Sequence, residues 1–168
     1  LTDVTAQMAL SDAVTDASYV GVWTVDVDSE GDLDLVLAIP EGPPLVLRNN
    51  SDGTFTVLHL FDGVDGLRAF AWGDLDADGA PDTVLLDVTG TVHVYANQRA
   101  GQFQARPLPQ ALQKVLAMAV ADVNSDSMLD LLVLEEDGHI RRLSHVPEGN
   151  AWRLVEIAQW PAFPPGTT

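Results

Sequence analysis

The sequence contains no cysteine, and only eight of its 168 residues are lysine or arginine. The first absence excludes disulfides, zinc thiolates and cysteine nucleophiles. The few basic residues are scattered among 25 Asp and Glu, for a formal net charge of −17. No basic stripe can therefore follow a phosphate backbone, and nucleic-acid binding is not expected. The same charge disfavours an anionic membrane surface, and no apolar run is long enough to insert into one. Long helical patterns are missing too. The nearest, "PQALQKVLAM", is turned into a strand over its second half by the register of the repeat described next. The sequence begins at Leu1 with neither a start Met nor a signal-like segment, so the chain is expected to be a trimmed piece. What the sequence does have is 46% apolar residues, enough for a core.

Those residues are arranged in a repeat. "DVDSEGDLD", "DLDADGAPD" and "DVNSDSMLD" start at Asp26, Asp74 and Asp122, in two equal steps of 48 residues. Each is preceded by a short apolar stretch ("YVGVWTV", "LRAFAWG", "VLAMAVA") and followed by another ("LDLVLAI", "PDTVLLD", "LDLLVLE"). A turn, a third stretch, a second turn and a fourth stretch complete each unit. Short runs rich in Val, Leu and aromatics, bounded by Gly, Pro, Asn and Asp, read as strands. Four short strands at this period are the arithmetic of a β-propeller blade.

The expected fold is therefore all-β. It consists of three four-stranded blades, over about 17–60, 66–108 and 114–157, plus one extra outer strand over 1–10. Residues 158–168 read as a Pro-rich tail or linker. Three blades do not close a ring. The chain is expected to be part of a seven-bladed propeller, completed by the rest of a longer chain or by two-fold pairing with another copy. The first two strands of each blade, apolar at nearly every position, are expected to be covered on both faces. Ala71, Ala119 and Ala121 suit a crowded inner strand.

The acidic loops crowd carboxylates that repel one another at neutral pH. A hard divalent cation resolves this, because calcium takes six to eight oxygen ligands. Places one, three, five and nine would supply side chains and place seven a backbone carbonyl, with glycine at place six turning the chain at positive φ. The first loop offers Asp26, Asp28, Glu30 and Asp34 with the carbonyl of Asp32. The second offers Asp74, Asp76, Asp78 and Asp82 with that of Ala80, and the third Asp122, Asn124, Asp126 and Asp130 with that of Met128. Up to three Ca²⁺ are expected. Glu30 loosens the first site; Asn124 and the strain of Ser127 at place six weaken the third. By residue type alone, the second loop ranks tightest. An EF-hand is excluded, because its place twelve needs a bidentate Glu and Leu37, Leu85 and Val133 stand there. Magnesium suits so flexible a carboxylate cage less well.

"GDLDADGAPDTVLL" resembles the calcium loop of FG-GAP/VCBS repeats, the blades of integrin-α-type propellers. "LVLRNNSDGTFTVLHL" and "LTDVTAQMAL" resemble a segment of the bacterial FG-GAP/VCBS proteins that include those with an ASPIC/UnbV domain. The resemblance covers about residues 1–157, departing at Glu30, Asn124 and Ser127 and lacking an ASPIC/UnbV segment. It implies calcium-stabilised propellers on extracellular, periplasmic or cell-surface proteins, used for adhesion or protein contact.

No catalytic residue is expected. His59, His93, His139 and His145 occupy different repeat positions and show no base–nucleophile pairing, so they read as solvated strand or turn residues. Trp23 and Trp72 read as core, and Trp152 and Trp160 as packing between blades. The expected function is a calcium-binding, non-enzymatic module for protein–protein interaction or adhesion. One alternative is an assembly subunit, in which open propeller edges pair with other chains or copies. Another is a lectin or polysaccharide-active propeller, with carbohydrate as its ligand.

Overall fold

The computed structural model describes residues 3–109, 112–147, 151–164 and 166. Twelve strands form three four-stranded antiparallel sheets. The first contains β1 (Gly21–Val25), β2 (Asp34–Ala38), β3 (Leu45–Asn49) and β4 (Phe55–Leu58), in that order. The second orders β5 (Leu67–Gly73), β6 (Asp82–Asp87), β7 (Val92–Asn97) and β8 (Phe103–Arg106) in the same way. The third repeats it with β9 (Val115–Ala121), β10 (Asp130–Glu135), β11 (His139–Val146) and β12 (Ala151–Gln159). Each sheet is thus a meander of four consecutive strands, the construction of a propeller-like blade. No helix among the described residues is long and apolar enough to cross a membrane.

The chain packs as two compact units, Leu1–Arg68 with Gln98–Phe103, and Ala69–Asn97 with Gln104–Thr168. In the first, Val14, Leu37 and Leu47 form a small core, with Tyr19, Leu35 and Phe55 packed against it. The second has the larger core, built from Leu75, Val84, Leu86, Val94, Leu131 and Leu143 among others. The second strand of each blade carries most of this burial. All six residues of β6 are buried, and Val84, Leu85 and Leu86 are fully so. Removing each such side chain from water contributes about 1.5–3 kcal/mol.

Two of the three first strands, β1 and β9, differ from expectation. β1 exposes alternate residues, with Val22 60% accessible, and Ala119 on β9 is exposed. β5 has no exposed residue, and β7 buries four consecutive residues, so cover on both faces is not confined to the second strands. Trp23 and Trp72 are likewise half-buried rather than core.

The outer strand expected over 1–10 is also absent from its described part. Thr5–Gln7 forms a 3-10 turn, started by the Asp3 carboxylate accepting the Thr5 amide at 2.9 Å. That local bond draws the backbone out of an extended path. One bond to the adjacent strand remains, from the Phe55 amide to the Met8 carbonyl at 2.9 Å. A four-residue helix, Asp12–Thr15, then buries Val14, whose carbonyl accepts the Tyr19 hydroxyl at 2.6 Å.

Residues 160–163 are tied down as well. β12 runs to Gln159, and beyond it the Trp160 amide donates to Gly138 O at 2.9 Å and the Phe163 amide to Glu136 O at 3.0 Å. Residues 160–163 therefore lie along the β10–β11 turn. Trp152 packs against the core of its unit and donates its indole N–H to Pro107 O at 3.0 Å, while Trp160 is 54% exposed.

Candidate metal centres

Each acidic loop joins the first two strands of a blade. Val25 pairs with Asp34 across the first loop, and Ala121 with Asp130 across the third. The hairpin thus fixes both ends of the loop, and the residues between must turn tightly. They do so with two left-handed residues per loop. Place four is Ser29, Ala77 or Ser125, at φ of 64°, 59° and 61°. Place six is Gly31, Gly79 or Ser127, at φ of 94°, 84° and 70°. The strain expected at Ser127 is therefore present.

This backbone folds the amides of places five and six over the carboxylate of place one. Glu30 and Gly31 donate to Asp26 at 3.2 and 3.0 Å, Asp78 and Gly79 to Asp74 at 3.1 and 3.0 Å, and Asp126 and Ser127 to Asp122 at 3.3 and 2.9 Å. The amide of place five also donates to place three: Glu30 to Asp28, Asp78 to Asp76, and Asp126 to Asn124. Three copies of one hydrogen-bond pattern hold the carboxylates together before any cation is considered.

Place nine is fully buried in each loop, at Asp34, Asp82 and Asp130. One oxygen accepts the amide of place two, from Val27 at 2.8 Å, Leu75 at 3.1 Å and Val123 at 3.3 Å. The other reaches the third strand. It accepts the Asn49 amide at 2.7 Å, the Asn97 amide at 3.0 Å and the Ser144 hydroxyl at 2.5 Å. Burial pushes Asp34 upward, with its two backbone bonds opposing and Asp28 and Asp32 adding to the rise. Burial likewise pushes Asp82 up to about 6, Asp76 adding to it while the Asn97 and Leu75 amides and Arg106 pull it down. Burial is the chief cause of both rises.

The spacing of the oxygens suits a cation. Asp26, Asp28 and Asp34 each offer an oxygen within 4.8 Å of the others, and so do Asp74, Asp76 and Asp78. Two oxygens on one calcium, each at 2.3–2.6 Å, lie no more than about 5 Å apart. The first two loops could therefore hold a metal ion. Among the described residues, no three acidic side chains of the third loop gather so closely. Asn124 there donates its amide to Asp126 at 2.7 Å. In the first loop, one oxygen of Asp32 accepts the Ser51 hydroxyl, while its buried Oδ1 has no hydrogen-bond partner among the described residues. Ala80 and Met128, expected as carbonyl donors, give their amides to Asp78 and Asp126, each at place five, at 2.8 and 2.9 Å.

Several functional neighbours are not marked by the acidic motif. Asn49 and Asn97 recur 48 residues apart, so the repeat itself signals them. Arg106 has no such signal. It stands on β8 where Leu58 and Leu154 stand in the other blades, and it reaches Asp76 at 2.5 Å and Asp82 at 3.7 Å.

The histidines are not all solvated. His93 Nε2 lies 2.9 Å from the buried Asp87, and His139 lies 2.9 Å from Asp137 and 3.4 Å from Glu156. In the second and third blades the acid ending the second strand is buried and meets a basic residue on the third: Asp87 with His93, and Glu135 with Arg141 at 2.6 Å. A third cluster, Glu135, Asp137 and His139, also brings its ligand atoms within 4.8 Å, but the Arg141 guanidinium already sits on Glu135.

The model of an FG-GAP-like repeat matches the chain twice, over residues 26–85 and 74–133. Each match begins at the first aspartate of a loop and ends within the second strand of the following blade. Comparison with curated proteins gives no match.

Proposed function

The chain belongs to the FG-GAP-like repeat family, and on that premise we propose that it is a calcium-binding, non-enzymatic propeller module for protein–protein interaction or adhesion. The observation that carries the reading is the gathering of Asp26, Asp28 and Asp34, and of Asp74, Asp76 and Asp78, within the span of one calcium shell. A bound ion would neutralise the crowded carboxylates and pin the hairpin between the first and second strands of its blade. Its role is structural, and the faces it steadies make the contacts. Weak sites, with dissociation constants of about 10⁻⁴–10⁻³ M, would be filled outside the cell. This accords with an extracellular, periplasmic or cell-surface location.

The test is metal analysis of the purified protein together with thermal unfolding in calcium and in EDTA. An ion bound only to the folded state stabilises by about 2.7 kcal/mol at one hundred times its dissociation constant. The expected result is a melting temperature several degrees higher in calcium. No bound calcium and identical melts would overturn the reading.

Assembly through open sheet edges is the second reading. Val20 and Val22, 67% and 60% accessible, favour it at the β1 edge. Light scattering on the purified chain tests it: a monomer at all concentrations would sink it.

A further inference from the structure

Of the three loops, the second matches the calcium pattern most fully by residue type, yet it is the one an arginine has entered. The Arg106 side chain is only 7% accessible, and its Nη2 lies 2.5 Å from Asp76 Oδ2. Nη1 is 3.7 Å from Asp82 Oδ2, and among the described residues neither Nε nor Nη1 has a hydrogen-bond partner. A buried guanidinium with unused donors is costly unless the charge it faces compensates it. Here that charge belongs to places three and nine of the loop.

The first loop provides the contrast within the same chain. At the position equivalent to Arg106 it has Leu58. An open pocket lies there, lined by Asp28, Glu30, Arg48 and Leu58 among others. Arg48 gives its Nη2 to Asn50 at 3.2 Å and, among the described residues, makes no ion pair with the loop. The first loop keeps its carboxylates open where the second has them occupied by a cation carried on the outermost strand of its own blade.

We propose that Arg106 is a tethered counter-cation of the second loop, holding that loop closed without metal and lowering its affinity for divalent cations below that of the first. The inference rests on the calcium reading of the loops and reverses the order expected from loop residues alone. Blade 2, with the arginine, stays pinned when calcium is scarce. Blade 1, with the leucine, depends on the ion. Two like charges near one carboxylate compete for it, and neighbours of metal ligands shift affinity on the scale of about 10- to 100-fold.

The test uses the whole chain and calcium itself as the probe. Asp28→Asn and Asp126→Asn together silence the first and third loops, and calorimetry then reads the second. Adding Arg106→Leu, the residue of the other two blades, is expected to tighten binding about 10- to 100-fold. It is also expected to lower the melting temperature in EDTA. Arg106→Gln, which keeps a polar group against the loop, should move affinity the same way and serves if the leucine variant does not fold. A guanidinium that only packed the blade would, on removal, leave affinity unchanged or weaken it. That result in folded protein overturns the inference. A separate chain carrying Asp76→Asn, with the first loop intact, distinguishes the two failures. If it binds calcium while Arg106 substitutions do not tighten the second loop, only the inference falls. If neither chain binds calcium with or without Arg106, the calcium reading falls with it.

Discussion

The carboxylate of Asp34 accepts the Asn49 backbone amide at 2.7 Å on one oxygen and the Val27 amide at 2.8 Å on the other. One side chain thus ties the loop to the third strand of its blade, and Asp82 does the same with Asn97 and Leu75. Place nine is therefore a structural pin as well as a candidate ligand. The two roles separate when metal is removed.

In excess EDTA, Asp82→Ala should cost about 2–4 kcal/mol, since it leaves two buried amides without an acceptor. Asp34→Ala should cost a similar amount. Asp130→Ala should cost less, because its partner on the third strand is the Ser144 hydroxyl, which can turn to another acceptor. Urea unfolding of the three variants measures this. Equal losses, or none, would count against the pin.

Asp87, away from the loops, gives the fold a pH dependence. Burial raises the Asp87 carboxyl, but hydrogen bonds from His93, Thr89 and Thr91 outweigh it and hold it below the ordinary 3.8. Its folded value is thus lower than its unfolded one. The stability it contributes is complete above 3.8 and is lost as pH falls through the lowered value. Asp87→Asn should cost on the order of 1–3 kcal/mol at neutral pH. It should also flatten the loss of stability below the ordinary carboxylate range. Denaturant midpoints taken from strongly acid to neutral pH give both numbers, and parallel pH curves for variant and parent would refute the assignment.

The repeat makes most of this architecture readable. Equal spacing of Asp26, Asp74 and Asp122 locates three blades and their loops, because a recurring unit averages out the ambiguity of any single strand. What breaks the repeat is not readable. Arg106 occupies a leucine position, and nothing local marks a β-strand arginine as aimed at a loop far back in the chain. The 3-10 turn at Thr5–Gln7 is hidden for a related reason. Its segment aligns with other fourth strands, but Asp3 captures the Thr5 amide locally. The exposure of Val22 and Ala119 likewise depends on what packs beside the first strands, and no strand pattern states that.

Place six of the third loop offers a stabilising change. Ser127 sits at φ 70°, where its counterparts are Gly31 and Gly79. Ser127→Gly removes left-handed strain of about 1–2 kcal/mol but loosens the unfolded chain by about 0.4–1 kcal/mol. A net gain of about 0.5–1 kcal/mol is expected, with the reverse sign for Gly79→Ser. Thermal unfolding of both variants checks the pair; a loss in Ser127→Gly would show that the serine is held by something other than the turn.

The docking of residues 160–163 on the β10–β11 turn can be tested through a glycine. Gly42, Gly90 and Gly138 are repeat-equivalent turn glycines at φ of 98°, 89° and 89°. Any of them replaced by alanine meets the same backbone strain, but their surroundings differ. At Gly42 a Cβ would touch only Ile39 Cδ1, at 3.4 Å. At Gly138 it would run into the backbone carbonyls of Trp160 and Pro161. Gly138→Ala must therefore expel residues 160–163 and lose the bonds from the Trp160 and Phe163 amides. Gly42→Ala should cost about 1–2 kcal/mol from strain alone, and Gly138→Ala about 1–3 kcal/mol more. The excess has a specific signature. In a chain ending at Gln159 the carbonyls are gone, so Gly138→Ala should cost no more than Gly42→Ala does. A cycle of the two changes measures this coupling directly. Additive costs would mean that the tail does not rest on the turn.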